Sequence, residues 1–172
     1  MTVNAPEQIE TLSNTVLINA DATQAVLKKC IAEMSAVQFF AAMKFDKIGA
    51  GPISGKAQNI IEQVNQMYSD LVVLTAAKNI LNQYPGMTLE LQLGSSSGYD
   101  IESSDGLLVA ECFAVTTVSN NKKLSKDCIK LMQSNAPIKC IYFYTHEDSE
   151  EKLQKLYTKY PEIKFDRVFF DI

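Results

Sequence analysis

The sequence predicts an α/β protein with a mixed central β-sheet flanked by helices, and three observations lead to this prediction. Apolar residues recur at helical spacing in the first half, and the period changes to two from Met87 onward. Helical patterns then alternate with apolar, strand-like segments. A strand, a helix and a strand in this order favour a parallel pair with a crossover helix. The 172 residues, 47% of them hydrophobic, fit a single domain, 1–172.

The N-terminal part, about 1–86, is expected to contain two long helices. Asp21 begins a helical pattern, with the spacing of a capping box, that continues to Phe45. Ile31 belongs to the apolar stripe of this pattern. The segment GAGP should end the first helix, and a second pattern runs over about 55–83. We therefore expect two helices to precede the sheet.

The remaining part, about 87–172, is expected to form the α/β core. The segment TLELQL alternates in polarity, GSSSG forms a loop, and two strand-like segments flank SSDG. A third helix, capped by Asn120 or Asn121, carries an apolar stripe. A buried strand, IKCIYFY, a helix over about 149–160 and a last strand, KFDRVFFDI, complete the chain. The third helix should cross over between parallel strands.

Composition restricts the function classes. A net charge of −4 and a single arginine, Arg167, count against a large nucleic-acid footprint, because phosphate contacts and base recognition depend on lysine and arginine. No segment approaches the apolar length of a membrane span, and the N-terminus lacks the features of a signal peptide. We therefore expect a cytoplasmic protein that does not contact the membrane.

The cysteines and the one histidine do not suggest a metal or catalytic site. The four cysteines lie far apart in apolar contexts and form no C-x-x-C pair, which favours buried reduced thiols. His146 follows a strand-like segment and precedes acidic residues, as expected for a loop. No Ser/His/Asp arrangement can be argued from it.

Glu111 is an isolated carboxylate in the apolar segment LLVAECF. An isolated carboxylate taken out of water costs several kcal/mol unless something compensates it. Glu111 therefore requires a partner, a proton or a metal ion.

The predicted hairpin brings Asp100 close to Glu111. Asp105 and Gly106 are a strong signal for a two-residue hairpin loop, and with that loop the numbers of paired residues sum to 211. Asp100 then lies opposite Glu111, with Cβ atoms roughly 4.5–5.5 Å apart. A four-residue loop over 103–106 would make them diagonal neighbours, and a three-residue loop would separate them.

Two carboxylates at this spacing suggest a site for a divalent cation. Like charges on adjacent strands repel, whereas magnesium or manganese bound between Asp100 and Glu111 would reverse the penalty. Two alternatives remain open at this point. Glu111 either forms an ion pair with a lysine, or lies at a strand end in water while Asp100 caps the hairpin.

An aspartate closing one strand, a hairpin, a glutamate in the next strand and a crossover helix resemble the PD-(D/E)XK nuclease-like superfamily, which has the restriction-endonuclease-like fold. The resemblance covers about 88–144. In that family the aspartate and glutamate hold magnesium, and a lysine two residues after the glutamate orients or activates water. Asp100 and Glu111 match the two acids. The lysine position is occupied by Phe113.

A phenyl ring can neither polarise water nor stabilise phosphate charge, so another lysine would have to act. The nearest substitutes are Lys122, Lys123 and Lys126, of which Lys122 and Lys126 are the predicted catalytic lysines. Lys122, Lys126 and Lys130 also recur every four residues as a basic ridge. Such a ridge either follows a phosphate backbone or is the solvated face of the helix.

Family members also use a glutamate from an earlier helix, for which Glu62 and Glu33 are candidates. The resemblance implies a nuclease-like protein, a divalent-metal-dependent phosphodiesterase acting on DNA or RNA, whose activity is reduced or lost without the lysine. A homodimer would allow both strands of a duplex to be reached.

The alternative is a catalytically inactive nuclease-fold module that contacts nucleic acid or a protein partner. It accounts for Phe113 directly. A small-molecule enzyme with an unrelated carboxylate site is a third hypothesis, and no feature of the sequence favours it.

Overall fold

The computed structural model describes residues 1–94, 98–116, 123–145 and 150–170. This part of the chain forms a mixed six-stranded sheet flanked by five helices, together with a small two-stranded ribbon. Within it, none of the helices combines the length and the apolar character that a membrane span requires. Four sequence predictions lie outside the described residues: those for the serines of GSSSG, for the Asn120 or Asn121 cap, for Lys122 and for His146.

The described helices and strands alternate in the second half of the chain. The helices are α1 (Pro6–Glu33), α2 (Ala36–Phe45), α3 (Ile60–Gln83), α4 (Lys123–Met132) and α5 (Glu150–Lys159). The strands are β1 (Thr2–Val3), β2 (Gly49–Ala50), β3 (Ala57–Gln58), β4 (Leu89–Leu91), β5 (Ile101–Ser103), β6 (Leu108–Val115), β7 (Ile138–Thr145) and β8 (Ile163–Arg167).

The N-terminal part differs from the sequence prediction, because three helices replace the expected two. The first helix begins at Pro6 rather than Asp21, and proline suits a first helical position. The Gln8 carboxamide oxygen caps this end by accepting from the Asn4 N–H at 2.8 Å. Ser35 then interrupts the predicted helix and begins α2, where its own N–H donates to Gln38 Oε1 at 3.0 Å.

The buried face of α1 also differs from the predicted stripe. Four residues are buried at seven-residue intervals: Ile9, Val16, Thr23 and Cys30. Ile31, expected to face the core, is exposed. Thr23 is buried because its hydroxyl accepts from the Ala50 N–H and the Gln63 amide while donating to a carbonyl in its own helix. A polar residue satisfied in this way is invisible to a search for apolar periodicity.

The sheet has the strand order β1-β4-β5-β6-β7-β8. Strands β4 to β6 form an antiparallel meander, whereas β6, β7 and β8 are parallel. Helix α4 connects β6 to β7, which confirms the predicted crossover. All four cysteines are buried and unpaired.

Two hydrophobic cores lie on the two faces of the sheet. Residues of α1 and α3 pack on one face, together with Ala110 and Cys112 of β6. Residues of α4 and α5 pack on the other face, together with Val109 and Phe113. Because side chains alternate along a strand, Glu111 faces α4.

The β5–β6 hairpin has the predicted register but a different turn. Ile101 pairs with Ala110, so the numbers of paired residues sum to 211. The loop, however, spans 104–107 and has four residues, and only Gly106 has a positive φ, of 72°. The expected two-residue turn is therefore wrong, because it would require a positive φ at Asp105 as well. The Asp105 carboxylate instead stabilises the loop by accepting from the N–H two residues later, at 3.0 Å.

Candidate functional site

Glu111 lies in the middle of the sheet and forms an ion pair with Lys130 of α4. Its side chain is only 5% exposed. An ion pair between Glu111 and a lysine was one of the alternatives that the sequence left open, and the structure contains it. The lysine comes from the crossover helix, which packs on the same face of β6.

Asp100 is placed beside Glu111 by the end of the β5–β6 ladder. Its Oδ2 atom accepts a hydrogen bond from the Cys112 N–H at 2.7 Å. The backbone carbonyl of Asp100 accepts from the N–H of Gln92, the residue after β4, at 2.9 Å. The Asp100 carboxylate therefore serves as the acceptor for the N–H of Cys112, in place of a backbone carbonyl. Cys112 directly follows Glu111 in β6.

Burial raises the pKa of Glu111 from an ordinary 4.5 to about 7, opposed by the hydrogen bond with Lys130 and strengthened by repulsion from Asp100 and Asp127. Asp127 of α4 is itself buried. Burial raises its pKa as well, and the charges of Lys123 and Lys130 oppose that shift. The site therefore contains three carboxylates whose charges repel one another and one closely bound lysine.

Two further contacts hold the Lys130 side chain, and a third holds its backbone, close to the residues that precede β5. Its ammonium nitrogen lies 4.9 Å from the centre of the Tyr99 ring and donates to the Gly98 carbonyl. The Tyr99 hydroxyl donates to the backbone carbonyl of Lys130 at 3.3 Å. Tyr99 directly precedes Asp100 in the chain. Lys130, which forms the ion pair with Glu111, is therefore also held against the segment that leads into Asp100.

Lys130, rather than a predicted catalytic lysine, forms the ion pair described above. Lys126 is exposed, and Lys122 lies outside the described residues. Lys123 is exposed and its ammonium lies 5.8 Å from the centre of the Phe113 ring. The sequence placed Lys130 only in the basic ridge, so its contact with Glu111 was missed.

Phe113, at the family's lysine position, is a core residue. It is buried on the α4 face of the sheet, and its ring stacks on that of Phe143, with a centroid separation of 5.8 Å and an interplanar angle of 18°. A lysine at this position would lose the stacking and would bury a charge.

Glu62 and Glu33, the candidates for a glutamate from an earlier helix, are both exposed. The buried acidic residue of α3 is Asp70. Asp70 is buried and accepts from the Gly94 N–H at 3.1 Å. Burial raises its pKa to about 6, and the charge of Asp100 contributes to the shift. The sequence signal for Asp70 is its helical spacing from the apolar Leu74.

Asp70 also lines an open groove of about 500 Å³ on the α3 side of the sheet. The groove has a polar lining that includes Gln66, Ser69 and the exposed Glu62. Asp70 and Glu111 thus lie on opposite sides of the sheet, and Asp100 influences the charge of both.

The donor chemistry of Asp100 and Glu111 fits magnesium or manganese, because magnesium binds through one or two carboxylates and keeps several waters. Within the described ranges, no group of three or more His, Cys, Asp and Glu residues is arranged to hold a metal ion. Asp127 Oδ2 is buried and has no hydrogen-bond partner among the described atoms. The arrangement therefore offers two carboxylate ligands, with further buried carboxylate charge nearby.

Comparison of the chain with protein-family models, with curated proteins and with solved structures found no match. The resemblance to the PD-(D/E)XK superfamily stays a prediction, and the candidate function depends on the residues of the site.

Proposed function

We propose that this chain is a nuclease-like protein, a divalent-metal-dependent phosphodiesterase acting on DNA or RNA with reduced activity. The observation that carries the proposal is the ion pair between Lys130 and Glu111 next to Asp100. Lys130 of α4 would thereby take the role of the family lysine, whose position in this chain is occupied by Phe113. The order α3, β4, β5, β6, α4, β7 further supports a restriction-endonuclease-like core.

In this proposal Asp100 and Glu111 hold magnesium or manganese. The metal would supply Lewis-acid polarisation of a phosphate oxygen and a more acidic water. Lys130 provides a positive charge that can stabilise negative charge on the phosphate. Glu111, with a pKa of about 7, must lose its proton to bind the cation, so activity should increase as the pH rises through neutrality.

A cleavage assay on labelled single- and double-stranded DNA and RNA with millimolar manganese tests the proposal. We expect slow cleavage by the unmodified protein and none by Asp100→Ala, which loses one metal ligand. Lys126→Met is a matched control, because it removes an exposed lysine from the same helix. Cleavage that persists unchanged in Asp100→Ala would contradict the assignment.

A second candidate function is the catalytically inactive binding module. Two observations favour it: Phe113 is integrated in the core, and Lys130 already neutralises Glu111. This alternative predicts intact nucleic acid in every assay. If the partner is nucleic acid, binding should weaken with salt and with loss of Lys126, because both act on phosphate contacts.

A further inference from the structure

Helix α2 buries very little of its surface. All ten of its residues are described, and Ala42 is the only buried one. The helix contacts α1 and α3, and Phe39 and Met43 are half-buried beside Ala42. The inward face of α2 is therefore defined by these three residues.

The outward face of α2 is apolar as well. Val37, Phe40 and Phe45 are 80%, 67% and 73% exposed, and Ala41 is also exposed. Their spacing of three, four and eight residues places them in one stripe. A surface helix normally carries charged and polar residues on the side away from the core. We call the stripe formed by Val37, Phe40, Ala41 and Phe45 the outer α2 face.

The size of the outer α2 face suits a weak, specific interface. Aromatic side chains bury roughly 150–250 Å² each, so Phe40 and Phe45 together leave on the order of 250–300 Å² exposed. With Val37 and the neighbouring Ile31, which is 64% exposed, the apolar area approaches about 500 Å². Two such surfaces would bury about 1,000 Å² in total, near the lower limit for a specific protein interface.

The charges flanking the outer α2 face favour a second copy of the same chain. Glu33 precedes the N-terminus of α2 and is exposed. Lys44, Asp46 and Lys47 lie at its C-terminal end and are exposed as well, so that end has a net positive charge. If two copies of α2 pack antiparallel about a twofold axis, Glu33 of each copy approaches Lys44 and Lys47 of the other. The interface would then have an apolar centre and complementary charges at both ends.

We infer that the outer α2 face is a self-association surface through which two copies of this chain pair with their α2 helices antiparallel. The inference depends on exposure and charge in α2 and is independent of the proposed activity. Because the area is near the lower limit, the dimer should dissociate in the micromolar range.

Sedimentation velocity over a concentration series from micromolar to submillimolar tests the inference. We expect the mass to rise from 19.1 kDa towards twice that value for the unmodified protein. Phe40→Glu should keep the protein monomeric. Phe169→Glu is a matched control, because Phe169 is 69% exposed and lies outside α2, and this variant should still dimerise. Circular dichroism establishes that each variant is folded.

A charge exchange tests the antiparallel arrangement without altering the apolar centre. Glu33→Lys alone, and Lys44→Glu with Lys47→Glu, should each weaken the dimer at least several-fold. The three changes combined should restore it, because the exchanged charges again face opposite charges.

Three outcomes would overturn the inference. The unmodified protein could remain monomeric throughout the series, or Phe40→Glu could dimerise as well as Phe169→Glu. Alternatively, a monomeric protein could bind vesicles of phosphatidylcholine and phosphatidylglycerol through Phe40, which would make a lipid surface the partner of this face.

Discussion

Asp70 and Glu111 are two buried carboxylates on opposite faces of the same sheet, and their surroundings differ. Both have raised pKa values, mainly because of burial, and both are influenced by Asp100. Glu111 has an ion pair with Lys130, whereas a backbone N–H donates to Asp70 and the side chain of Gln66 lowers its pKa. Burial of an acid is therefore not enough to define a site. For the residues that the structure describes, Asp100 and the cation Lys130 both act on Glu111 on the α4 face, and there we expect the chemistry.

Phe113→Lys should have the largest effect, and it tests the face of the sheet that carries Glu111 and packs against α4. Introducing the family lysine should destabilise the protein by about 3 kcal/mol or more, because it removes a stacked core ring and buries an amine. Urea denaturation measures this loss. A variant that is as stable as the unmodified protein and cleaves nucleic acid faster would show that this face can accommodate a second lysine.

Lys130→Met should reduce metal-dependent cleavage by a factor on the order of a hundred, because one stabilising charge is lost near the phosphate. The methionine keeps much of the apolar stem. Asp70→Asn should change the rate much less, since Asp70 lies on the other face. An equal loss in both variants would eliminate the distinction between the two carboxylates.

The pH dependence of the free energy of unfolding should distinguish Glu111 from Asp70. Glu111 holds its proton more tightly in the folded than in the unfolded protein, so stability should fall as the pH rises from about 4.5 to about 7. Glu111→Gln should remove about 2 kcal/mol of this decline. Asp70→Asn should remove a decline that ends nearer pH 6. Denaturant unfolding from pH 5 to pH 8 measures both slopes, and parallel curves for all three proteins would contradict the assignment.

The smallest expected effect is that of metal binding on the melting temperature. At pH 8, millimolar manganese should raise the melting temperature by about 2–4 °C, equivalent to roughly 1 kcal/mol. Glu111→Gln should abolish the rise and Asp70→Asn should preserve it. The rise should nearly vanish at pH 6, because Glu111 is then largely protonated. An equal rise in all three proteins would place the cation elsewhere.

The sequence predicted the order of the core elements and the register of the β5–β6 hairpin, because period changes and hairpin register are local properties. It did not predict β1, β2 and β3, since two-residue strands have no measurable periodicity. The contact between Lys130 and Glu111 depends on how α4 is rotated over the sheet. The buried face of α4 includes Asp127 as well as its apolar residues. Apolar periodicity gives no reason to turn an aspartate inward, so it does not define this rotation.

The two edges of the sheet are protected in different ways, and this has a consequence for aggregation. The β8 edge carries charged side chains, among them the ion pair of Lys164 with Asp166, which oppose the addition of another strand. Among the described residues, the β4 edge is covered by the short strand β1, in which Thr2 pairs with Glu90. Met1 extends this pairing, because its backbone exchanges hydrogen bonds with Leu91. Detachment of β1 would expose unpaired backbone groups of β4, so the lifetime of that short pairing should govern how fast the protein forms intermolecular sheets.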